Sequence, residues 1–147
     1  MDTTRWRQWR WLPTILAWLL AAGAGAAEVR DVRLWRAPDH TRIVFDLDGP
    51  VEHKLITLSG PDRIVLDISD TALRADLSTL KLDDTPVKQV RSGVREGDDL
   101  RVVFDLGAQV NPRSFALKAV DQAGDRLVVD LYDQRARTAA VKKLSLI

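Results

Sequence analysis

The amino-acid sequence predicts an all-β fold, a sandwich of two similar four-stranded antiparallel sheets from an internal duplication, with one short connecting helix. The first observation is a six-residue pattern of Arg, apolar, Val, apolar, Asp, apolar, which occurs at residues 42–47, 63–68, 101–106 and 126–131. The second is that clusters of Gly, Pro and Asp, typical of hairpin turns, separate the apolar runs. The third is that the two halves of the chain repeat the same order of segments, which favours two packed sheets.

Each copy of the pattern is an amphipathic strand. Because successive side chains of a strand point to opposite faces, Arg, Val and Asp share one face and three apolar residues share the other. We expect two of these apolar rows to face each other across the core. They are Ile43, Phe45, Leu47 and Val102, Phe104, Leu106.

The two halves follow one plan of four strands each. The first half has predicted strands at residues 29–33, 42–47, 54–58 and 63–68. The second half has them at residues 87–91, 101–106, 114–118 and 126–131. In both halves a tight turn with Gly and Asp precedes the last strand, which is a hairpin signal.

Two segments lie outside these repeats. Between the halves, Leu73, Leu77 and Leu80 recur at spacings of four and three, which predicts one short helix that crosses from one sheet to the other. Residues 134–147 carry several charges and only a short apolar end, so we expect a linker or disordered tail rather than another element.

Residues 1–26 have the pattern of a cleaved export signal. Arg5, Arg7 and Arg10 precede an apolar run over residues 12–22, and small residues follow it. The alternative is a membrane anchor, but the apolar run is shorter than the roughly 20 residues that a spanning helix needs. We therefore expect export, and no stable membrane insertion once the signal is removed.

The composition of the remaining chain excludes some classes of protein. The full chain has 22 Lys and Arg against 21 Asp and Glu; three Arg and one Asp precede Ala27, which leaves 19 basic and 20 acidic residues. A nearly neutral chain argues against nucleic-acid binding through a basic face. Because the chain has no Cys, its fold depends on core packing, and residues 27–133 are long enough for one domain.

No set of side chains points to catalysis. His40 and His53 are the only histidines, and neither has a partner at metal-ligand spacing. No Ser lies in a nucleophile-elbow context, and there is no Cys to supply a thiol. Four acids, Asp46, Asp67, Asp105 and Asp130, recur in matched contexts, which is typical of structural residues rather than a catalytic pair. We expect no enzymatic activity, no metal and no cofactor.

The charged strand face has two interpretations. It is either a solvated face with cross-strand ion pairs, or a platform for a ligand rich in hydroxyls, amides and carboxylates, to which Arg binds bidentately. Trp35, which shares a face with Arg33, either stacks on a sugar ring or a partner's apolar group, or covers the rim of the sandwich. The candidate binding residues are Arg42, Val44, Asp46, Arg101, Val103, Asp105, Arg63, Arg126 and Trp35.

The repeated strand motif, the two half-repeats and the segment at residues 84–95 together resemble the AMIN domain, over residues 28–133. That domain precedes the catalytic part of bacterial N-acetylmuramoyl-L-alanine amidases of the cell-division type. The resemblance implies a periplasmic two-sheet module that binds peptidoglycan and holds its enzyme at the division septum. It also implies that residues 42–47 and 101–106 contribute first to binding, followed by residues 63–68 and 126–131.

The resemblance implies no catalysis by this chain, since the zinc-dependent amidase part does not follow Asp133 in this sequence. The leading hypothesis is a non-catalytic targeting module of a cell-wall amidase. Related domains also occur in secretins of the type IV pilus. The alternative is therefore a protein–protein module of the cell envelope that docks to a secretin or a divisome protein through strand edges.

Overall fold

Two β-sheets pack face to face in a computed structural model, which describes residues 25–147. The predicted signal segment, residues 1–26, lies outside the described residues except for its last two positions. The strands are β1 (Ala27–Arg36), β2 (His40–Leu47), β3 (His53–Leu58), β4 (Arg63–Ile68), β5 (Thr71–Leu73), β6 (Val87–Arg95), β7 (Asp99–Leu106), β8 (Val110–Leu117) and β9 (Arg126–Asp133). The predicted all-β sandwich is confirmed.

Each sheet takes strands from both halves of the chain. The first sheet has the order β5-β1-β2-β9-β8, and the second has the order β3-β4-β7-β6. The central pairs, β2 with β9 and β4 with β7, are antiparallel and join one half to the other. The duplication therefore gives two related four-stranded units, each built from one hairpin of either half.

The segment between the halves differs from the expected helix. Thr71–Leu73 forms β5, which pairs in parallel with the start of β1 and gives the first sheet its fifth strand. The helical part is a single 3-10 turn at Leu77–Thr79, where the Asp76 side chain accepts a hydrogen bond from the Ser78 amide. The leucine spacing reflects partial burial against the core edge, since Leu73, Leu77 and Leu80 all pack there.

The chain after β9 is helical. Helix α1 spans Gln134–Ser145, where a linker or disordered tail is expected from the sequence. This stretch contains Ala, Arg, Lys and Leu and no Gly or Pro, so its intrinsic helix propensity is high. Val141 and Leu144 on α1 are exposed. Among the described residues, no helix combines the length and apolar character needed to cross a membrane.

The core lies between the two sheets and contains both predicted apolar rows. Phe45 on β2 and Phe104 on β7 are fully buried, and their strands occupy central positions in opposite sheets. The other inward apolar residues of the four motif copies are also buried: Ile43, Leu47, Val102, Leu106, Ile64, Leu66, Ile68, Leu127, Val129 and Leu131. The alternation within each motif thus sends the polar residues to the two outer faces.

Candidate functional site

The outer face of the first sheet carries side chains in rows that run across four strands. Because paired residues point to the same side of a sheet, the strand register defines these rows. With strands about 4.8 Å apart, a row of four is about 14 Å long. From β1 to β8 the rows are Trp35-Arg42-Asp130-Arg113, Arg33-Val44-Val128-Phe115 and Asp31-Asp46-Arg126-Leu117.

The centre of this face is an ion pair between β2 and β9. Arg42 donates from Nε to one carboxylate oxygen of Asp130 and from Nη2 to the other, both at 2.7 Å. Asp130 is only 2% exposed, so its carboxylate is nearly inaccessible to solvent. The hydrogen bond to Asp130 raises the pKa of Arg42 above its usual value. The Arg42 guanidinium is also 5.9 Å from the centre of the Phe115 ring.

Aromatic and basic side chains surround this pair. Trp35 is 43% exposed and Phe115 is 39% exposed, and they lie on opposite sides of the β2–β9 pair. Arg113 lies over the Tyr132 ring with its guanidinium carbon 5.5 Å from the ring centre. Arg33 donates from Nη2 to Asp46 at 3.0 Å and is half exposed. We call this surface, formed by the three rows and Tyr132, the aromatic face.

The outer face of the second sheet repeats the ion pairs without aromatic rings. Arg101 on β7 donates from Nε and Nη2 to both oxygens of Asp67 on β4, at 2.6 and 2.7 Å, and Arg95 reaches the same carboxylate at 3.2 Å. The hydrogen bond from Arg101 holds the pKa of Asp67 below its usual range. Arg91 makes a second bidentate pair with Asp105, at 2.7 and 2.9 Å, and lowers the pKa of Asp105.

The residues selected from the sequence do not form one site, because the two faces lie on opposite sides of the sandwich. One set lies on the aromatic face: Trp35, Arg42, Val44, Asp46 and Arg126. The other set lies on the outer face of the second sheet: Arg63, Arg101, Val103 and Asp105.

Within these sets the side chains have different surroundings. Val44 is buried between the ion pairs, and Val103 is half-buried. Arg63 donates from Nε to the Pro61 carbonyl at 3.3 Å. Arg126 lies opposite Asp46, but its Nε is buried and has no hydrogen-bond partner among the described residues.

The sequence pattern does not identify Phe115, Arg113 and Tyr132 as members of the aromatic face. Alternation along residues 114–118 places Phe115 and Leu117 on one side of a strand, but it does not say which sheet receives that strand. Only the pairing of β8 with β9 brings Phe115 onto the same sheet as Trp35. Trp35 itself lies on the outer face and not in the core.

The aromatic face offers two kinds of contact. Exposed rings stack on the apolar faces of sugars, and guanidinium groups donate to carboxylates and carbonyl oxygens. Within residues 25–147, no group of three or more His, Asp or Glu side chains is arranged to hold a metal ion. Fold and surface together define a small duplicated β-sandwich module with two flat polar outer faces.

The particular family follows from comparison of the sequence. Residues 31–131 match the model of the AMIN domain, and the chain belongs to the AMIN domain family. AMIN is a non-catalytic region of the amidases in which it occurs. The resemblance drawn from the repeated motif is thereby confirmed.

Two relatives are N-acetylmuramoyl-L-alanine amidases named AmiC. The chain is 33% identical over 138 residues to the protein of Escherichia coli O6:H1, an alignment that covers 88% of this chain and 33% of the relative. It is 29% identical over 121 residues to the protein of Neisseria meningitidis serogroup B, which covers 80% of this chain and 29% of the relative. The chain thus spans about a third of the length of these relatives.

Proposed function

We propose that this chain is the non-catalytic, periplasmic peptidoglycan-binding module of an N-acetylmuramoyl-L-alanine amidase, which it targets to the division septum. Membership of the AMIN family and the similarity to two AmiC amidases support the parent activity. The observation that carries the binding function is the aromatic face, where exposed rings and guanidinium groups share one flat surface.

On this surface the rings and the more exposed basic groups have separate roles. Trp35 and Phe115 stack on sugar rings of the glycan, because each has a large exposed apolar surface. Arg33 and Arg113 donate to N-acetyl carbonyls and to carboxylates of the stem peptides. Each contact is weak, and affinity rises because the polymer presents the same groups repeatedly.

Arg42 and Asp46 mainly stabilise the arrangement of side chains on the aromatic face through their ion pairs. The Nε and Nη2 donors of Arg42 are already bound to Asp130, which is nearly inaccessible to solvent. Replacement of Arg42 by Ala would leave that carboxylate buried without its partner, so it would destabilise the domain as well as alter the face. The same holds for Arg101 and Asp67, so exposed residues make better binding variants.

The second outer face is the smaller contributor in this proposal. This face carries ion pairs, and no aromatic ring lies on it among the described residues. The predicted binding residues on it are Arg63, Arg101, Val103 and Asp105. Its exposed apolar side chain is Leu58, at the end of β3. Val94 on β6 of the same sheet is also apolar and exposed and lies away from the aromatic face, so it offers a control position.

Co-sedimentation of the exported chain with purified sacculi tests the proposal. The wild type and the Val94→Ala variant should pellet equally and saturably. The Trp35→Ala, Phe115→Ala double variant should bind at least about tenfold more weakly, which corresponds to about 1.4 kcal/mol of lost contact. Equal pelleting of all three folded proteins would exclude the aromatic face as the site, and no pelleting of the wild type would exclude wall binding.

A second candidate function is docking to a protein of the cell envelope, either a pilus secretin or a divisome protein. Strand β6 favours it, because among the described strands this nine-residue strand pairs only with β7, and its Val94 is 76% exposed. A partner could add a strand at this edge. Retention by an envelope protein that is lost in a Gly93→Pro variant, with no binding to sacculi, would favour this function.

A further inference from the structure

One end of the sandwich contains a groove that is separate from the aromatic face. Neither the proposed contacts of that face nor membership of the AMIN family gives this groove a role. An open cleft of about 640 Å³ is lined by residues from both sheets and from the start of α1. A second cleft of about 230 Å³ lies beside it. Gln109 and Gln134 line both clefts, so the two form one continuous groove, which we call the end groove.

The lining of the end groove is suited to a peptide. At one end it offers the Arg36 guanidinium and the carboxylates of Asp84 and Asp133. In the middle it offers the side-chain amides of Gln109 and Gln134 and the backbone around Gly107. At the other end Thr57 and Ser59 supply hydroxyls beside the apolar residues Leu58, Leu106 and Val110. Amides and charges of both signs match a short chain that carries amide bonds, carboxylates and a free amine.

The walls of this groove are held in place by hydrogen bonds. Arg36 binds Asp133 through both carboxylate oxygens and donates to the Thr41 hydroxyl at 3.2 Å. Thr41 is fully buried, which anchors the guanidinium to the first sheet. The Gly107 amide donates to the Pro86 carbonyl at 2.7 Å and joins the second-sheet side of the groove to the segment that contains Asp84. A groove with such walls is largely formed before a ligand arrives.

The end groove is continuous with the aromatic face. Trp35 and Arg36 are consecutive residues of β1, as are Tyr132 and Asp133 of β9. Since consecutive side chains of a strand point to opposite faces, the outward ring and the inward charged group are neighbours at the same sheet end. A ligand that covers Trp35 can therefore continue around the end of β1 into the groove without leaving the protein surface.

We infer that the end groove binds the stem peptide of a peptidoglycan unit whose glycan lies on the aromatic face. This inference rests on the proposed function and adds a second contact for the same ligand. Asp84 faces the free amine of the diamino acid, the two glutamines bind the peptide amides, and the paired Arg36 and Asp133 side chains form the wall beside them. The module then distinguishes glycan that bears stem peptides from glycan that lacks them.

The experiment compares the exported chain with a variant whose groove is filled. Both are tested on cell wall with and without stem peptides. Ala108 lines the groove and is exposed, so Ala108→Trp fills it without disturbing the core. The control is Gly49→Trp, at the corresponding turn of the first half, where an added side chain meets open space. That turn lies near Glu28 at the other end of the sandwich. The probes are intact sacculi, glycan strands stripped of stem peptides, and a free stem tetrapeptide that contains diaminopimelate.

We expect Ala108→Trp to bind intact sacculi about tenfold more weakly than wild type, and to bind stripped glycan unchanged. The wild type and Gly49→Trp should bind intact sacculi more tightly than stripped glycan. The free tetrapeptide should shift the side-chain amide NMR signals of Gln109 and Gln134 in the wild type. It should not shift them in Ala108→Trp, whose groove is filled.

The outcomes distinguish the groove inference from the proposed wall binding. If Ala108→Trp binds both forms of the wall as the wild type does, and the tetrapeptide shifts neither glutamine signal, the groove inference is overturned while the proposed wall binding stands. If the wild type binds neither form of the wall, the proposed function fails. The tetrapeptide titration then still decides whether the groove takes a peptide.

Discussion

Arg101 and Asp67 lie opposite each other on β7 and β4, joined by two hydrogen bonds of 2.6 and 2.7 Å. Arg42 and Asp130 make the same contact on β2 and β9. In both cases the Arg comes from one half of the chain and the Asp from the other. The first residue of one motif copy therefore binds the fifth residue of another, and this pairing holds the two halves together at the centre of each sheet.

Removal of the Asp67 carboxylate should destabilise the fold more than removal of Asp105. Asp67 is 5% exposed and accepts hydrogen bonds from both Arg101 and Arg95, whereas Asp105 has a half-exposed partner in Arg91. We expect Asp67→Ala to lower the free energy of unfolding by about 1–3 kcal/mol, since the arginines are partly solvated. Asp105→Ala is the control and should cost clearly less. Urea denaturation measures both, and equal losses would contradict the central role of the Asp67 pair.

The same carboxylate should contribute to acid unfolding. The hydrogen bond from Arg101 lowers the pKa of Asp67 below its ordinary value of 3.8. A carboxyl group with a lowered folded pKa stabilises the fold above its unfolded pKa, and this stability is lost as the pH falls through the folded value. The Asp67→Asn variant should therefore lose less stability than wild type between about pH 4 and pH 2. Urea denaturation midpoints of both proteins across this pH range test the prediction. Parallel plots of midpoint against pH for the wild type and Asp67→Asn would contradict it.

His53 should govern stability in a different pH window. Its Nε2 lies 2.9 Å from the Ser114 hydroxyl, so the ring joins β3 of the second sheet to β8 of the first. Burial lowers the pKa of His53 below 6.5. The folded state favours the neutral ring, so its contribution is present above the unfolded pKa and is lost as the pH falls through the folded value.

His53→Gln retains a hydrogen-bonding side chain and removes this titration. The variant should therefore show a flatter dependence of the free energy of unfolding on pH from about 6.5 downward. The control is His40→Gln, which keeps His53 and should keep its slope. A wild-type slope in the His53→Gln variant would show that another group titrates in this window.

The strands and the buried rows could be predicted because the information is local. Alternation within residues 42–47 and 101–106 fixes which side chains are apolar and inward, and the structure buries Phe45 and Phe104 accordingly. The choice of strand partners is not local. Since the four motif copies are nearly equivalent, their pattern does not say that β2 pairs with β9 rather than with a strand of its own half.

That missing information explains the incomplete site prediction. Trp35 and Phe115 are far apart in sequence and share a face only through two intervening strands. The ion pairs could be predicted as a class but not by partner, because every copy offers both an Arg and an Asp. The secondary structure of the connecting segment and of α1 could not be predicted from apolar spacing. Leucine spacing in the first reflects contact with the core edge, and the second has no strong apolar periodicity.

The internal duplication predicts equal costs for two core substitutions. Phe45 and Phe104 are corresponding residues of two motif copies, and both are fully buried. Phe45→Ala and Phe104→Ala should each destabilise the domain by about 3–5 kcal/mol, since each removes a large ring and leaves a cavity. Phe115→Ala, at an exposed position, is the control and should change stability little. Thermal or urea unfolding tests this, and a large difference between the two core variants would argue that the halves contribute unequally.

Trp35 should report ligand binding directly, because it is the only Trp after residue 18. Its ring is 43% exposed on the aromatic face, so a sugar stacked on it replaces water around the indole. Soluble peptidoglycan fragments should shift the emission of the exported chain to shorter wavelength and reduce quenching by acrylamide. The Val94→Ala variant should give the same response, whereas Phe115→Ala should require more ligand. If saturating fragments bind by calorimetry but leave the Trp35 emission unchanged, the ligand lies elsewhere, and the outer face of the second sheet becomes the next surface to mutate.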